Sequence, residues 1–256
     1  MKNNVISAIF RTIINRKETK IFLMFSLYPL IFLIATLFPD SNFMQISVEK
    51  GSTLSLIELF NLLLGSINAL TLPLIALYYL TYMVFKNEFD DSTMFLYKDI
   101  NRSEIFKAKL WSLCGIVVIF LSLSFLSTVF ANYIGAVRMP YGSTSILPND
   151  TNIIFSIIIA IINTSLDYMM SIFIAMMMSF YFKKGTTVVS AIVIGVVTEI
   201  LALIGGVWGL IYPTGYTSLA FEGRPLIAFI GSISITLFYM SSMYVIGVKN
   251  FKNLEF

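Results

Sequence analysis

The chain has 256 residues, 57% of them hydrophobic and 12% charged, with a formal net charge of +3 and no histidine. A soluble domain is roughly half apolar and about a quarter charged, so a mean hydropathy of +0.86 places this sequence in a bilayer. Without histidine no Ser-His-Asp triad, Cys-His pair or H-E-x-x-H zinc site can be built, and the single cysteine, Cys114, excludes an internal disulfide or a cysteine metal cluster.

Residues 3–16 place Val5, Ile6, Ile9, Phe10, Ile13 and Ile14 at helical spacing, with Asn4, Ser7, Arg11, Asn15 and Arg16 on the other side. This predicts an amphipathic helix in the membrane interface, either a plain anchor or an elbow that braces the first span. A hydrocarbon core about 30 Å thick needs roughly 20 helical residues. Six stretches qualify, at about 21–38, 54–85, 110–131, 152–182, 186–208 and 225–246. The first runs into Phe38-Pro39-Asp40 without a small-x-small cleavage site, so it reads as a span and not as a signal peptide. The second and fourth are longer than a crossing needs, and Pro73 is the expected kink in the second. The fold class is therefore an all-α polytopic membrane protein, with residues 1–256 forming one membrane domain.

Lysine and arginine set the orientation. With both termini cytoplasmic, the inner face holds Lys2, Arg11, Arg16, Lys17 and Lys20, then Lys86, Lys98, Arg102, Lys107 and Lys109, then Lys183, Lys184, Lys249 and Lys252. Only Lys50, Arg138 and Arg224 of the 17 basic residues fall outside, in agreement with the positive-inside rule. The outer loops, about 39–53, 132–151 and 209–224, are too short to form a folded domain.

The one long cytoplasmic loop runs from Phe85 to Leu110. Phe85, Phe89, Thr93 and Leu96 share a helical face, while Lys86, Glu88, Asp90 and Asp91 crowd the remainder. This reads as a solvated loop or as a docking helix over about 86–97 whose aromatic face needs a partner or lipid. Asn101 followed by Glu104 resembles a capping box, so a new helix is expected from about Arg102.

Glu88-Phe-Asp-Asp-Ser-Thr93, then Arg102 and Lys109, resembles the cytoplasmic loop of ABC-2-type permeases, although Ser92 stands where that family usually has glycine and Asn101 where it has serine. Tyr212-Pro213-Thr214-Gly215-Tyr216 is similar to the outer Pro-x-Gly-Tyr of small peptide-exporting and lantibiotic-immunity permeases. The resemblance implies a single ABC-2-type transmembrane domain in a bacterial plasma membrane. It also implies a coupling helix at 86–97, with Phe85, Glu88, Phe89, Asp90, Asp91, Thr93, Arg102 and Lys109 as the ATPase-coupling residues. No G-x-x-x-x-G-K-[ST] loop is present, so this chain is not itself an enzyme. ATP and Mg belong to a separate ATPase, in two copies, working with two copies of this permease or one copy and a related permease.

Asp167 and Glu199 each fall roughly 20 Å up their spans from the cytoplasmic turn at Lys183-Lys184. Buried carboxylates are costly in lipid and normally face the bundle interior or water. Either each is protonated or bonded to neighbours such as Asn163, Thr164 or Thr198, or Asp167, Glu199 and Asn163 line a path that attracts cationic peptide. Leu203-Ile-Gly-Gly-Val-Trp-Gly209 predicts a broken or re-entrant helix on the outer side. Gly205, Gly206, Trp208, Pro213 and Tyr216 are its candidate outer-gate residues, and Trp208, Tyr212 and Tyr216 fit an outer aromatic belt. The expected substrate is an amphipathic or antimicrobial peptide or another amphiphile, with the lipid bilayer as the other partner and no nucleic acid. The alternatives are a proton-coupled secondary transporter using Asp167 and Glu199, or a non-transporting membrane sensor or scaffold.

Overall fold

The computed structural model describes residues 2–38, 46, 53–87 and 101–253. Among these the regular elements are all helices, and β pairing is confined to an isolated bridge between Leu54 and Gly142. Helix α1 spans Lys2–Ile14 and carries the expected apolar face. That face is taken up by protein: Ile9 and Ile13 are buried, and Phe10 abuts Gly115.

The first span is continuous from Lys17 to Thr36. It consists of α2 (Lys17–Met24), a tight turn at Phe25–Leu27 and α3 (Tyr28–Thr36). Pro29 sits in the first turn of α3, where its missing N–H breaks no helical hydrogen bond.

The second span is α4 (Leu56–Ala69) followed by α5 (Leu72–Tyr82), which runs into a π-helical turn at Met83–Asn87. The two halves meet at 64°. The break falls in the turn before Pro73, where proline predicts it. It lies at Thr71, which takes a left-handed conformation with φ 55° and ψ −18°, a region that β-branched residues rarely enter. Pro73 occupies the first turn of α5, and having no N–H it cannot bond the carbonyl of Ala69 four residues earlier, where α4 ends. The start of α4 is capped by Glu58, whose Oε2 accepts from the Ser55 backbone N–H at 2.7 Å and from its hydroxyl at 2.6 Å.

The third span is α6, a single helix from Arg102 to Ile134, about 50 Å long at 1.5 Å per residue. It starts where the sequence predicts, with Asn101 Oδ1 accepting from the Ser103 N–H at 3.0 Å. The far end leads into the loop whose Tyr141 and Ser145 carbonyls accept from the Leu54 and Leu56 amides, at the start of the second span. The other end of the second span meets the first turns of α6. Among the described residues five helices are long and apolar enough to cross a membrane, and six if the bent pair is one span.

The remaining elements are α7 (Thr151–Tyr181), α8 (Lys184–Ile204), the short α9 (Gly206–Gly209), α10 (Tyr216–Phe221) and α11 (Pro225–Asn253). The chain is a multi-pass, all-helical membrane protein. Its core lies along α6 and α7, where Phe22 stacks on Phe120 at 4.6 Å and Tyr168 lies edge-on to both. By contrast Val189, Val193, Val197 and Leu203 on α8 are exposed, so α8 turns much of its apolar surface outward to lipid.

Phe120 is fully buried at the centre of this stack, so Phe120→Ala is expected to cost about 3–5 kcal/mol. Thermal unfolding of the purified protein in detergent checks this, with Phe238→Ala on the exposed face of α11 expected to change little.

Candidate functional site

Helix α7 carries one polar stripe. Ser156, Asn163, Asp167 and Ser171 recur at helical spacing on a face that is buried against neighbouring helices. Asp167 stands about 24 Å from the start of α7, near the middle of the helix, and is 7% exposed. An ionisable side chain at that depth must be solvated by protein. The Tyr212 hydroxyl donates to Asp167 Oδ1 at 2.6 Å, and Asn68 Nδ2 donates to Oδ2 at 3.4 Å. Asn68 belongs to the last turn of α4, immediately before the break at Thr71.

The same stripe stitches the chain between the fifth and sixth spans onto α7. Ser156 Oγ donates to the Ala220 carbonyl at 2.7 Å, and Asn163 Nδ2 donates to Thr217 Oγ1 at 3.1 Å. With Tyr212 on Asp167, the contacts on α7 advance as those on the other segment retreat. Residues 212–220 thus run antiparallel to α7, and Tyr212 reaches deep into the bundle. Buried beside Asp167 are the hydroxyls of Tyr78 and Tyr168, and among the described residues neither has a hydrogen-bond partner, nor has Asn163 Oδ1.

The geometry of that re-entrant segment depends on glycine. Helix α8 ends at Gly205, and Gly205 and Gly206 adopt φ of 68° and 58°, a region closed to most side chains. Gly215 lies so close to the Gly209 carbonyl that a Cβ there would overlap it. Among the expected outer-gate residues, Pro213 is buried, Tyr216 packs on Gly231 of α11, and Trp208 is exposed. Tyr212, expected in an aromatic belt at the outer interface, is instead 8% exposed and bonded to Asp167. Hydropathy alone places an aromatic near a helix end at the interface; the turn back into the bundle is a tertiary feature.

A second polar arrangement closes the other end of the second span. The π-helical turn at Met83–Asn87 interrupts the regular ladder of backbone hydrogen bonds. Lys109, 1% exposed, donates from Nζ to the Val84 carbonyl at 2.7 Å, and Arg16 Nη1 donates to the Met83 carbonyl at 3.3 Å. The Lys109 ammonium also lies 5.9 Å from the ring centre of Phe85 and 5.5 Å from that of Phe251, within cation–π range. Phe85 is fully buried and packs with Phe106, Phe180 and Phe251. Arg102 Nη1 donates to the Lys252 carbonyl at 2.8 Å, fastening α6 to the end of α11.

Of the expected coupling residues, Phe85, Arg102 and Lys109 are thus brought together at the base of the loop, with Phe85 and Lys109 facing inward. Glu88, Phe89, Asp90, Asp91 and Thr93 lie outside the described residues, as does the side chain of Glu199 on α8. Among the described residues no group of three or more Cys, Asp or Glu side chains is placed to hold a metal ion. Asn68, Tyr78 and Tyr212 are the participants that sequence reasoning missed. Asp167 stood out in the sequence, but its partners come from 99 and 45 residues away.

No protein-family model, curated protein or solved structure matches this chain.

Tyr212→Phe leaves a buried carboxylate oxygen short of its closest donor and is expected to cost about 1–3 kcal/mol. Asp167→Asn keeps the shape and still accepts from Tyr212, so it should cost less. Thermal unfolding of the two purified variants checks the order, and equal losses would contradict this account of the contact.

Proposed function

We propose that this chain is the membrane-spanning subunit of an ATP-binding-cassette exporter of the ABC-2 type, expelling amphipathic or antimicrobial peptides, or similar amphiphiles, across a bacterial plasma membrane. In this reading both termini are cytoplasmic, α1 is an elbow helix on the inner leaflet, and residues 86–97 form the coupling helix of a separate ATPase. Two ATPase copies act with two permeases. ATP and Mg are bound on the ATPase, and this chain supplies the path.

The observation that carries the reading is the construction of the second span. Its inner end, from which the loop departs, is clamped by Lys109 and Arg16. Its middle is broken at Thr71 beside Asp167. A displacement of the loop would be passed by the clamp to α5 as a rigid piece, and the break would let α5 move relative to α4. Because Asn68 and Tyr212 share the Asp167 carboxylate, movement at the break would also reach the outer re-entrant segment. Phe85, Arg102 and Lys109 act in this scheme as positioning residues, and Glu88, Phe89, Asp90, Asp91 and Thr93 as the docking surface. Asp167, Asn163 and Glu199 offer the path its negative and polar groups.

The test is purification of the tagged chain from its native membrane and identification of what accompanies it. A P-loop ATPase is expected to co-purify with the wild type. Phe89→Ala combined with Asp91→Lys is expected to lower its recovery at least about tenfold, while the amount of chain in the membrane is unchanged. Undiminished recovery would refute the docking surface. Transport by the chain alone in proteoliposomes, driven by a pH gradient, would replace the exporter reading with proton coupling through Asp167 and Glu199.

A further inference from the structure

One surface feature takes no part in the exporter scheme. Between α6, α7 and α11 lies a groove of about 610 Å³. Its wall is apolar, built from Leu110, Trp111 and Cys114 of α6, Met169 and Phe173 of α7, and Met240 with its neighbours on α11. Ser241 lies in the wall too, but its hydroxyl is already bonded to the Phe238 carbonyl at 3.0 Å. Lys107 stands at one end, and Lys249, also exposed, follows Val245 by one turn on α11.

We infer that this groove binds one anionic phospholipid, its acyl chain against Trp111, Cys114 and Phe173 and its phosphate at Lys107 and Lys249. The dimensions fit. From Lys107 to Cys114 the wall extends about 10 Å along α6, and from Leu237 to Val245 about 12 Å along α11. One leaflet of hydrocarbon is about 15 Å deep. The polarity fits as well, because the cations lie at one end only and the rest of the wall is largely apolar, Tyr244 adding its ring and a hydroxyl. Among the described residues Lys107 has no hydrogen-bond or ion-pair partner. Glu104, one turn earlier on α6, borders a separate small hollow with Lys107 and leaves the large groove free of acidic side chains.

A second copy of the chain fits this groove less well. In a two-fold contact centred here, Lys107 and Lys249 would face the same charges on the partner. A phosphate meets both lysines with the opposite sign. Attraction of this kind amounts to roughly fivefold per lysine at a membrane surface. Assignment to the inner leaflet rests on the orientation proposed above; the preference for an anionic headgroup does not.

The chain contains two tryptophans, Trp111 and Trp208, so Trp208→Phe leaves Trp111 as the sole reporter at the groove. The full-length protein in phosphatidylcholine nanodiscs is titrated with dibrominated phosphatidylglycerol or dibrominated phosphatidylcholine, and Trp111 quenching is read. Half-quenching is expected at a mole fraction of the phosphatidylglycerol about twenty-five-fold below that of the phosphatidylcholine, roughly fivefold for each of the two lysines. Lys107→Gln should narrow the gap and Lys107→Arg should preserve it, which separates loss of the charge from misfolding. Lys183→Gln, at the turn before α8, should leave it unchanged. Equal quenching by the two lipids in the parent protein overturns the inference. Weak quenching by both overturns it too, since the groove would then be covered by protein. Neither outcome bears on the ATPase test.

Discussion

Inside a bilayer a backbone group or a charge freed from its helix has no water to turn to, and this constraint organises the whole molecule. The chain frees such groups at Thr71, at Met83–Asn87 and at Gly205, and it buries Asp167. The resulting debts are met largely by side chains from distant parts of the sequence. Lys109 and Arg16 answer the carbonyls of Val84 and Met83, while Tyr212 and Asn68 answer Asp167. The π-helical turn and Asp167 thereby become points at which separate elements are held together.

The two polar arrangements differ in character. At the base, a lysine is enclosed by phenylalanine rings and holds a carbonyl, and the surroundings are packed on every side. That is a rigid joint. At the middle, one carboxylate accepts from Asn68, just before the break at Thr71, and from Tyr212, in the segment that follows the break at Gly205. Among the described residues the nearby hydroxyls of Tyr78 and Tyr168 and the Asn163 carbonyl have no hydrogen-bond partner, so other hydrogen-bonded arrangements lie within reach of the same groups. A rigid base and an adjustable middle are what a span needs if it is to relay movement from one membrane face to the other.

Much of this was legible in the sequence, for identifiable reasons. Apolar runs longer than a bilayer crossing have few alternatives, so the spans and the start of α6 at Arg102 emerge from hydropathy and a local cap. Asp167 stands out because a carboxylate amid isoleucine and methionine is costly. Its partners do not stand out: Asn163, Thr164 and Thr198 were the local expectation, whereas Tyr212 and Asn68 arrive through tertiary packing. The break before Pro73 was legible because proline has a strong local signature, while the left-handed conformation that Thr71 takes in it has none. Lys109 looked like a surface contact because lysine usually is one. The nearby Val84 carbonyl and two phenylalanine rings help to offset its burial.

The account stands on movement at the base of the second span reaching the outer re-entrant segment through Asp167. Hydrogen exchange across residues 205–222, in the complex with its ATPase reconstituted in nanodiscs, measures this directly with and without ATP. Exchange there should change when ATP is added to the wild type and lose that response in Asp167→Ala, while ATP turnover persists. An outer segment whose exchange is indifferent to ATP in the wild-type complex would contradict the account.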